Sequence, residues 1–242
     1  MYSTSVGPWW GALVVVALAA SACGAPAPAS SQVRHNALTD AERAAGWRLL
    51  FDGTTTAGWR GYHMSAAPAG WAAADGALTR VGGGGDIITM DQFADFELAL
   101  EWKLTPGGNS GIMYRVTEEY DESYKSGPEM QVLDDAAHRD GQSRLTSAGA
   151  DYGLYPSPAG VVRPAGEWNQ VRILVNGSHV EYWLNGTRTV EYELWSPDWE
   201  ARVKGSKFAE WPTFARARRG HIALQDHGDW VAYRNIKIRE LP

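Results

Sequence analysis

"VRILVNGSHVEYWLNGTRTVEYEL", running from Val171 to Leu194, is the stretch that decides the fold. Two Asn-Gly pairs, Asn176-Gly177 and Asn185-Gly186, interrupt runs of alternating apolar residues. Asn and Gly both tolerate positive φ, which a type I′ hairpin turn requires at its two central positions. Alternation with period two sends successive side chains to opposite faces of a strand. The stretch is therefore predicted as three strands of an antiparallel meander joined by two type I′ turns.

The same pattern returns on both sides. "FELALEWKL" (residues 96–104) sets Phe96, Leu98, Leu100 and Trp102 against Glu97, Ala99, Glu101 and Lys103. "SGIMYRV", "EMQVL", "GHIALQDH" and "WVAYRNIKIREL" read as further short strands between Gly-rich turns. Many short strands with such turns imply an all-β sandwich or barrel. Two segments differ. "LTDAERAAGW" predicts a short helix with Thr39 as N-cap, Glu42 as its capping-box partner and Gly46 closing it. The insertion from Asp198 to Gly220 predicts two short helices split at Pro212.

With 242 residues, 44% of them hydrophobic, the chain can bury one sizeable core. A net charge of -6 argues against a nucleic-acid partner, which leaves a basic footprint. At the amino terminus "WWGALVVVALAASAC" is an apolar run ending in small residues, the pattern of a secretory signal. It is shorter than the roughly 20 apolar residues of a membrane span. Cys23, the single cysteine, follows it as the lipidated cysteine of a bacterial lipoprotein would, although Ala20 stands where a lipobox carries Leu. The expected organisation is a signal peptide over residues 1–22, a tether over 23–37 and one domain over 38–242. The protein is then exported and held by an N-terminal lipid on the outer face of the cell membrane.

Chemistry-bearing residues gather on the non-core sides of several strands. In "GPEMQVLDDAAH" (residues 127–138), Glu129 and Gln131 share a face while Met130 and Val132 take the other. In "HIALQDH", Gln225 and His227 lie opposite Ile222 and Leu224, and Arg115 alternates with Tyr114. A set of Arg, Glu, Gln and His suits oriented recognition of a polar ligand. Trp71 and Trp230 stand near turns and could stack on sugar rings. "GGGGD" lacks the Lys-Ser/Thr of a phosphate loop. No cofactor follows from these motifs, though Asp134, Asp135 and His138 could hold a divalent cation. The jelly-roll β-glucanase frame Glu-x-Asp-x-x-Glu reads Glu129-x-Gln131-x-x-Asp134 here. Its middle carboxylate is an amide, which weakens the case for ordinary two-carboxylate hydrolysis.

Taken together, "WRLLFDGTTTAGWRGY", "FADFELALEWKLTPGGNSGIMYRV", "GPEMQVLDD", "PAGEWNQVRI", "VEYWLNGTRTVEY" and "GHIALQDHGDWVAYRNIKIREL" resemble the 3-keto-disaccharide (3-keto-glycoside) hydrolase domain family, formerly a domain of unknown function. The resemblance runs from about Gly46 to the C-terminus. It implies a concanavalin-A-like jelly roll of two antiparallel sheets. It also implies a glycoside substrate oxidised at carbon 3, cleaved by proton abstraction at carbon 2, β-elimination and hydration. Such chemistry needs a base, groups for the developing oxyanion and an acid for the leaving group. Motif membership does not say which residue moves the proton; from the polar strand faces Glu129 or His227 is assigned as base, with Arg115 among the catalytic groups. Gln131, Gln225, Asn109, Asp134 and Trp230 hold the sugar. A non-catalytic carbohydrate-binding domain is the competing expectation, because fold does not fix function.

Overall fold

Short strands build two antiparallel sheets in the computed structural model, which describes residues 1–7, 11 and 34–242. Residues 34–242 form one compact unit, starting at Arg34 rather than Leu38. Asn36 explains the earlier start: its backbone N–H donates to Asn235 Oδ1 at 2.7 Å and its side chain to the Gly76 carbonyl at 2.7 Å.

Strands are numbered in chain order. The eight-stranded sheet runs β11 (Thr187–Glu193), β10 (His179–Leu184), β9 (Asn169–Asn176), β6 (Phe96–Leu104), β13 (Val231–Glu240), β4 (Ala77–Arg80) and β3 (Trp71–Ala74), with β1 (Arg48–Leu49) also on β13. The five-stranded sheet runs β2 (Trp59–Gly61), β5 (Ile87–Thr89), β12 (His221–Leu224), β7 (Asn109–Val116) and β8 (Glu129–Leu133). Neighbours far apart in sequence, such as β6 beside β13, are the mark of a jelly-roll sandwich. Between the sheets Leu98, Leu100, Trp102, Ile173, Tyr182 and Tyr233 meet Ile112, Tyr114, Met130, Val132, Ile222 and Leu224 in one buried core.

The meander forms as expected, but its two turns differ. Asn185 and Gly186 both have positive φ, 51° and 82°, as a type I′ turn demands. At the other turn β9 extends through Asn176 and only Gly177 is left-handed, with φ 61°. The central residues are thus Gly177-Ser178, and one positive φ at the first of them is the II′ pattern.

Both predicted helical regions are present. Helix α1 (Asp40–Ala44) carries the capping box between Thr39 and Glu42. In the insertion, α2 (Pro197–Lys204) ends at Gly205, and a 3-10 turn (Lys207–Glu210) follows. The break falls at Ser206 rather than at Pro212, because the Ser206 hydroxyl accepts from Phe208 N–H and caps the second element. Trp199, Phe208 and Phe214 stack on one another and fix the insertion to the core.

One local irregularity redirects a predicted catalytic residue. Arg115 has φ 50°, and pairing between β12 and β7 jumps from His221↔Val116 to Ala223↔Met113. This bulge inserts an extra residue into β7 and reverses side-chain parity beyond it. Met113 and Val116 consequently share the outer face in a small apolar cluster with Ile88 and Ala223.

Candidate active site

The floor of the site is the outer face of β7 and β8. Gln131 lies opposite Gly111, and Glu129 opposite Met113. A side chain at Gly111 would overlap the Glu129 carboxyl, so glycine there lets Glu129 lie across β7. The Gln131 amide, turned so that its nitrogen meets acceptors, donates to Glu129 Oε1 and to the Ser110 carbonyl, each at 3.2 Å. Its side chain also lies 3.3 Å from the Asn109 amide. Glu129, Gln131 and Asn109 therefore form one connected polar row, in which Glu129 and Gln131 share a face as their alternation predicts.

Glu129 is only 5% exposed, and burial pushes its carboxyl up to about 8. Lys207 pulls in the opposite direction, while Asp86 and Asp140 add to the rise. Loss of water penalises the charged form, which is why the proton stays on. Asp86 is also raised, chiefly by burial, even though it accepts from the Ser123 hydroxyl and from the Asp226 N–H.

Lys207 is the group that sequence reading missed. The helical insertion brings it beside Glu129 from 78 positions further along the chain (207 − 129). Its ammonium lies 4.7 Å from the Tyr124 ring, 4.6 Å from Tyr152 and 5.2 Å from Phe208. Three ring faces hold the cation by cation–π attraction without neutralising it, leaving its charge available to a ligand. Strand periodicity carries no signal of this contact.

A cavity of about 460 Å³ opens beside this floor, lined by Tyr62, His63, Asp86, Tyr124, Gln225 and His227 among others. Its volume lies within the roughly 300–1,000 Å³ typical of small-ligand sites. Gln225 and His227 thus line the groove wall, and His227 lies edge-on to His138 at 6.3 Å. The Gly-rich loop bounds the cavity because Asp226 ties it down: the carboxylate pairs with Arg80 and accepts from the N–H groups of Gly84 and Gly85.

Four residues singled out in the sequence lie elsewhere. Arg115, turned away by the bulge, donates to the Ala94 carbonyl at 3.0 Å, to Asp95 at 2.9 Å and to the Gly177 carbonyl at 3.1 Å. It ties the two sheets together at one end of the sandwich and does not face Glu129. Asp134 falls on the opposite parity from Glu129 and accepts from the N–H groups of Gly107 and Ala136, holding a turn. Trp230 stands on the outer face of the other sheet, its ring 5.7 Å from Lys103 Nζ. Trp71 is core, stacked on Tyr233.

The proposed cation ligands do not converge either. Asp134 holds its turn, Asp135 accepts from Ala148 N–H and His138 from Asp140 N–H. Among the described residues, the group with metal-ligand spacing is His179, Glu181 and Glu191 on the eight-stranded sheet. Arg172 and Arg188 already neutralise Glu181 there. Cys23 lies outside the described residues.

A jelly-roll sandwich with a buried, proton-retaining carboxyl beside a cavity of small-ligand size defines the class. The chain belongs to the 3-keto-alpha-glucoside-1,2-lyase-like domain family, whose model matches residues 46–239. A curated relative from Bacteroides thetaiotaomicron, named 3-keto-disaccharide hydrolase, is 35% identical over 183 residues. That match covers 66% of this chain and 63% of the relative's length. A solved structure from Parabacteroides distasonis, described as a candidate glycosyl hydrolase, superposes with a TM-score of 0.81 at 32% identity, covering 86% of this chain and 100% of that one. A second structure of the same description and organism gives 0.63 at 31% identity, covering 81% and 99%.

Proposed function

We propose that this chain cleaves 3-keto-glycosides in the groove over β8, by proton abstraction at carbon 2, β-elimination and hydration. Family membership and the relative's name support the substrate class. The observation that carries the reading is the Glu129 carboxyl, raised to about 8 by burial. A base that must remove a proton from carbon works best when its pKa lies near the operating pH, and burial moves Glu129 into that range.

The ketone at carbon 3 acidifies the hydrogen on carbon 2. Glu129 takes that proton, and the C–H electron pair becomes an enediolate whose charged oxygen faces Lys207. The enediolate collapses, re-forms the ketone, makes a double bond between carbons 1 and 2 and expels the aglycone oxygen. His227, at the mouth of the groove, protonates that oxygen. Water then adds across the double bond: its hydroxyl goes to carbon 1 and its proton restores His227, while Glu129, its own proton exchanged with solvent, protonates carbon 2. Gln131 orients Glu129, while Asn109 and Gln225 hold the sugar hydroxyls.

The test is to incubate the purified protein with a glucoside and with its 3-keto derivative. Aglycone release from the ketone alone, with deuterium entering carbon 2 in heavy water, is expected. Equal release from the unoxidised glucoside would defeat the reading. Export and lipid attachment at Cys23 are part of the same proposal, supported by the sequence pattern. Labelled fatty acid should appear on the mature protein and disappear in Cys23→Ser, and unchanged membrane association of that variant would end the idea.

A further inference from the structure

A second cavity, of about 560 Å³, lies on the outer face of the eight-stranded sheet, across the sandwich from Glu129. Strand register creates it. Ala99 of β6 sits between Arg172 of β9 and Lys237 of β13, and Arg172 lies opposite Trp183 of β10. One short side chain in a row of long ones leaves a depression. Helix α1 and its cap wall one side with Thr39 and Glu42, and Trp183 lines it too.

Most ionic groups around this depression are paired, although Arg34, which also lines it, forms no ion pair among the described residues. Arg172 pairs with Glu97 and Glu181, Lys237 with Glu42, and Arg234 with Glu101. Such pairing leaves one uncompensated cation, too few to draw in an anionic lipid or a nucleic acid, both of which need a cluster of cations. It still offers carboxylate lone pairs and guanidinium N–H groups to a neutral hydroxylated ligand. Trp183 is held in place: its Nε1–H donates to Glu181 at 2.7 Å, and Arg172 lies 5.5 Å from its ring. Gln170 lines the same cavity, and its side-chain amide has no hydrogen-bond partner among the described residues.

From an immobilised indole, a free amide and largely paired charge, we infer that this cavity is a second, non-catalytic saccharide site that takes a neutral pyranose unit packed against Trp183. It would hold the enzyme on its glycan while the opposite face works. The inference stands on a different sheet from Glu129 and does not depend on the reaction proposed there.

The experiment uses the full-length protein labelled with 5-fluorotryptophan, with the Trp183 resonance assigned by Trp183→Phe. It is titrated with maltotriose and with cellotriose, neutral α- and β-linked glucose trimers that carry no ketone. A saturable displacement of the Trp183 signal by at least one trimer is expected, with Kd on the order of 1 mM for a small, shallow site. Ala99→Phe, which fills the depression, should abolish the displacement and leave turnover of the 3-keto substrate unchanged. Gln170→Ala, at an exposed position that does not threaten folding, should weaken it. No displacement by either trimer overturns the inference, as does a displacement that survives both substitutions. A Trp183 shift that follows protein concentration without sugar would make the face a self-association surface and overturn it equally.

Discussion

The two outer faces of the sandwich carry similar residue types and treat them oppositely. On the eight-stranded sheet Glu97 is met by Arg172 and Arg239, Glu101 by Arg234 and Glu42 by Lys237. Glu42 is held down at about 2, first by its hydrogen bond from Lys237. On the five-stranded sheet Glu129 is buried and Asp86 half-buried, neither in an ion pair, and both are raised, chiefly by desolvation. Even there the neighbouring Glu118, paired with Arg60, is drawn down to about 2. The difference is partnership. A carboxylate with a bound cation is fixed in its charged form, whereas one that is only desolvated keeps a proton it can exchange near neutral pH.

The largest effect should come from removing the unpartnered carboxyl. Glu129→Gln keeps the shape and should lower turnover of a 3-keto substrate by about 10²–10⁴. In the parent protein the rate should rise with pH and level off above about 8, the value to which burial pushes Glu129. The variant should lose that arm. Stability supplies a second readout. Because the folded state holds this proton more tightly than the unfolded chain, its contribution is full below about 4.5 and is lost as pH rises through about 8. Glu129→Gln should therefore melt higher than the parent at alkaline pH. A pH–rate profile identical to the parent's would place the base elsewhere, with His227 next.

Lys207→Met tests whether the cation beside Glu129 differs in kind from the paired cations opposite. Loss of one group stabilising an oxyanion costs about 10²–10³ in rate. Because Lys207 lowers Glu129, the apparent pKa of the rate profile should also move up. Lost rate with an unmoved pKa would separate Lys207 from Glu129.

How much of this was legible in the sequence depends on the range of each signal. Period two alone placed Glu129 and Gln131 on one face and fixed the core sides of β6, β9 and β12, because alternation is local. Arg115 was misplaced because a single left-handed residue reverses parity, and nothing in "MYRV" announces positive φ at an arginine. Asp134 followed the same strand but fell one position out of phase. Lys207 was invisible because its role comes from where an insertion packs. Asn176-Gly177 shows the converse limit: the dipeptide marked a turn correctly, but the ladder continued one residue further and changed its type.

Asn185→Val probes the scaffold common to both faces and should be intermediate in size. The position has φ 51°, which a β-branched side chain resists. The Asn185 amide also donates to the Val161 carbonyl and to Asn169 Oδ1, and its oxygen accepts from Gln170 N–H. A loss of about 1–2 kcal/mol in chemical denaturation is expected. An unchanged midpoint would mean the turn can relax to another type.

The smallest effect is forecast for the paired face, and it sets the scale for the rest. Glu101 and Arg234 lie directly opposite each other on β6 and β13, with the guanidinium Nε 2.7 Å from the carboxylate. The pair looks as strong as any in the molecule, and Arg234 also lies 4.0 Å from the Trp168 ring. The side chains of Arg234 and Glu101 keep 19% and 16% of their surface exposed. Water therefore still reaches the pair and screens part of the attraction, and ordering two long side chains offsets more of it. Glu101→Gln keeps a hydrogen-bonding oxygen for Arg234 and leaves its stacking on Trp168 in place. Stability should fall by no more than about 1 kcal/mol, and turnover of the 3-keto substrate should not change. If Glu101→Gln instead slowed turnover as Glu129→Gln does, the division between a paired face that binds and an unpaired face that reacts would be wrong.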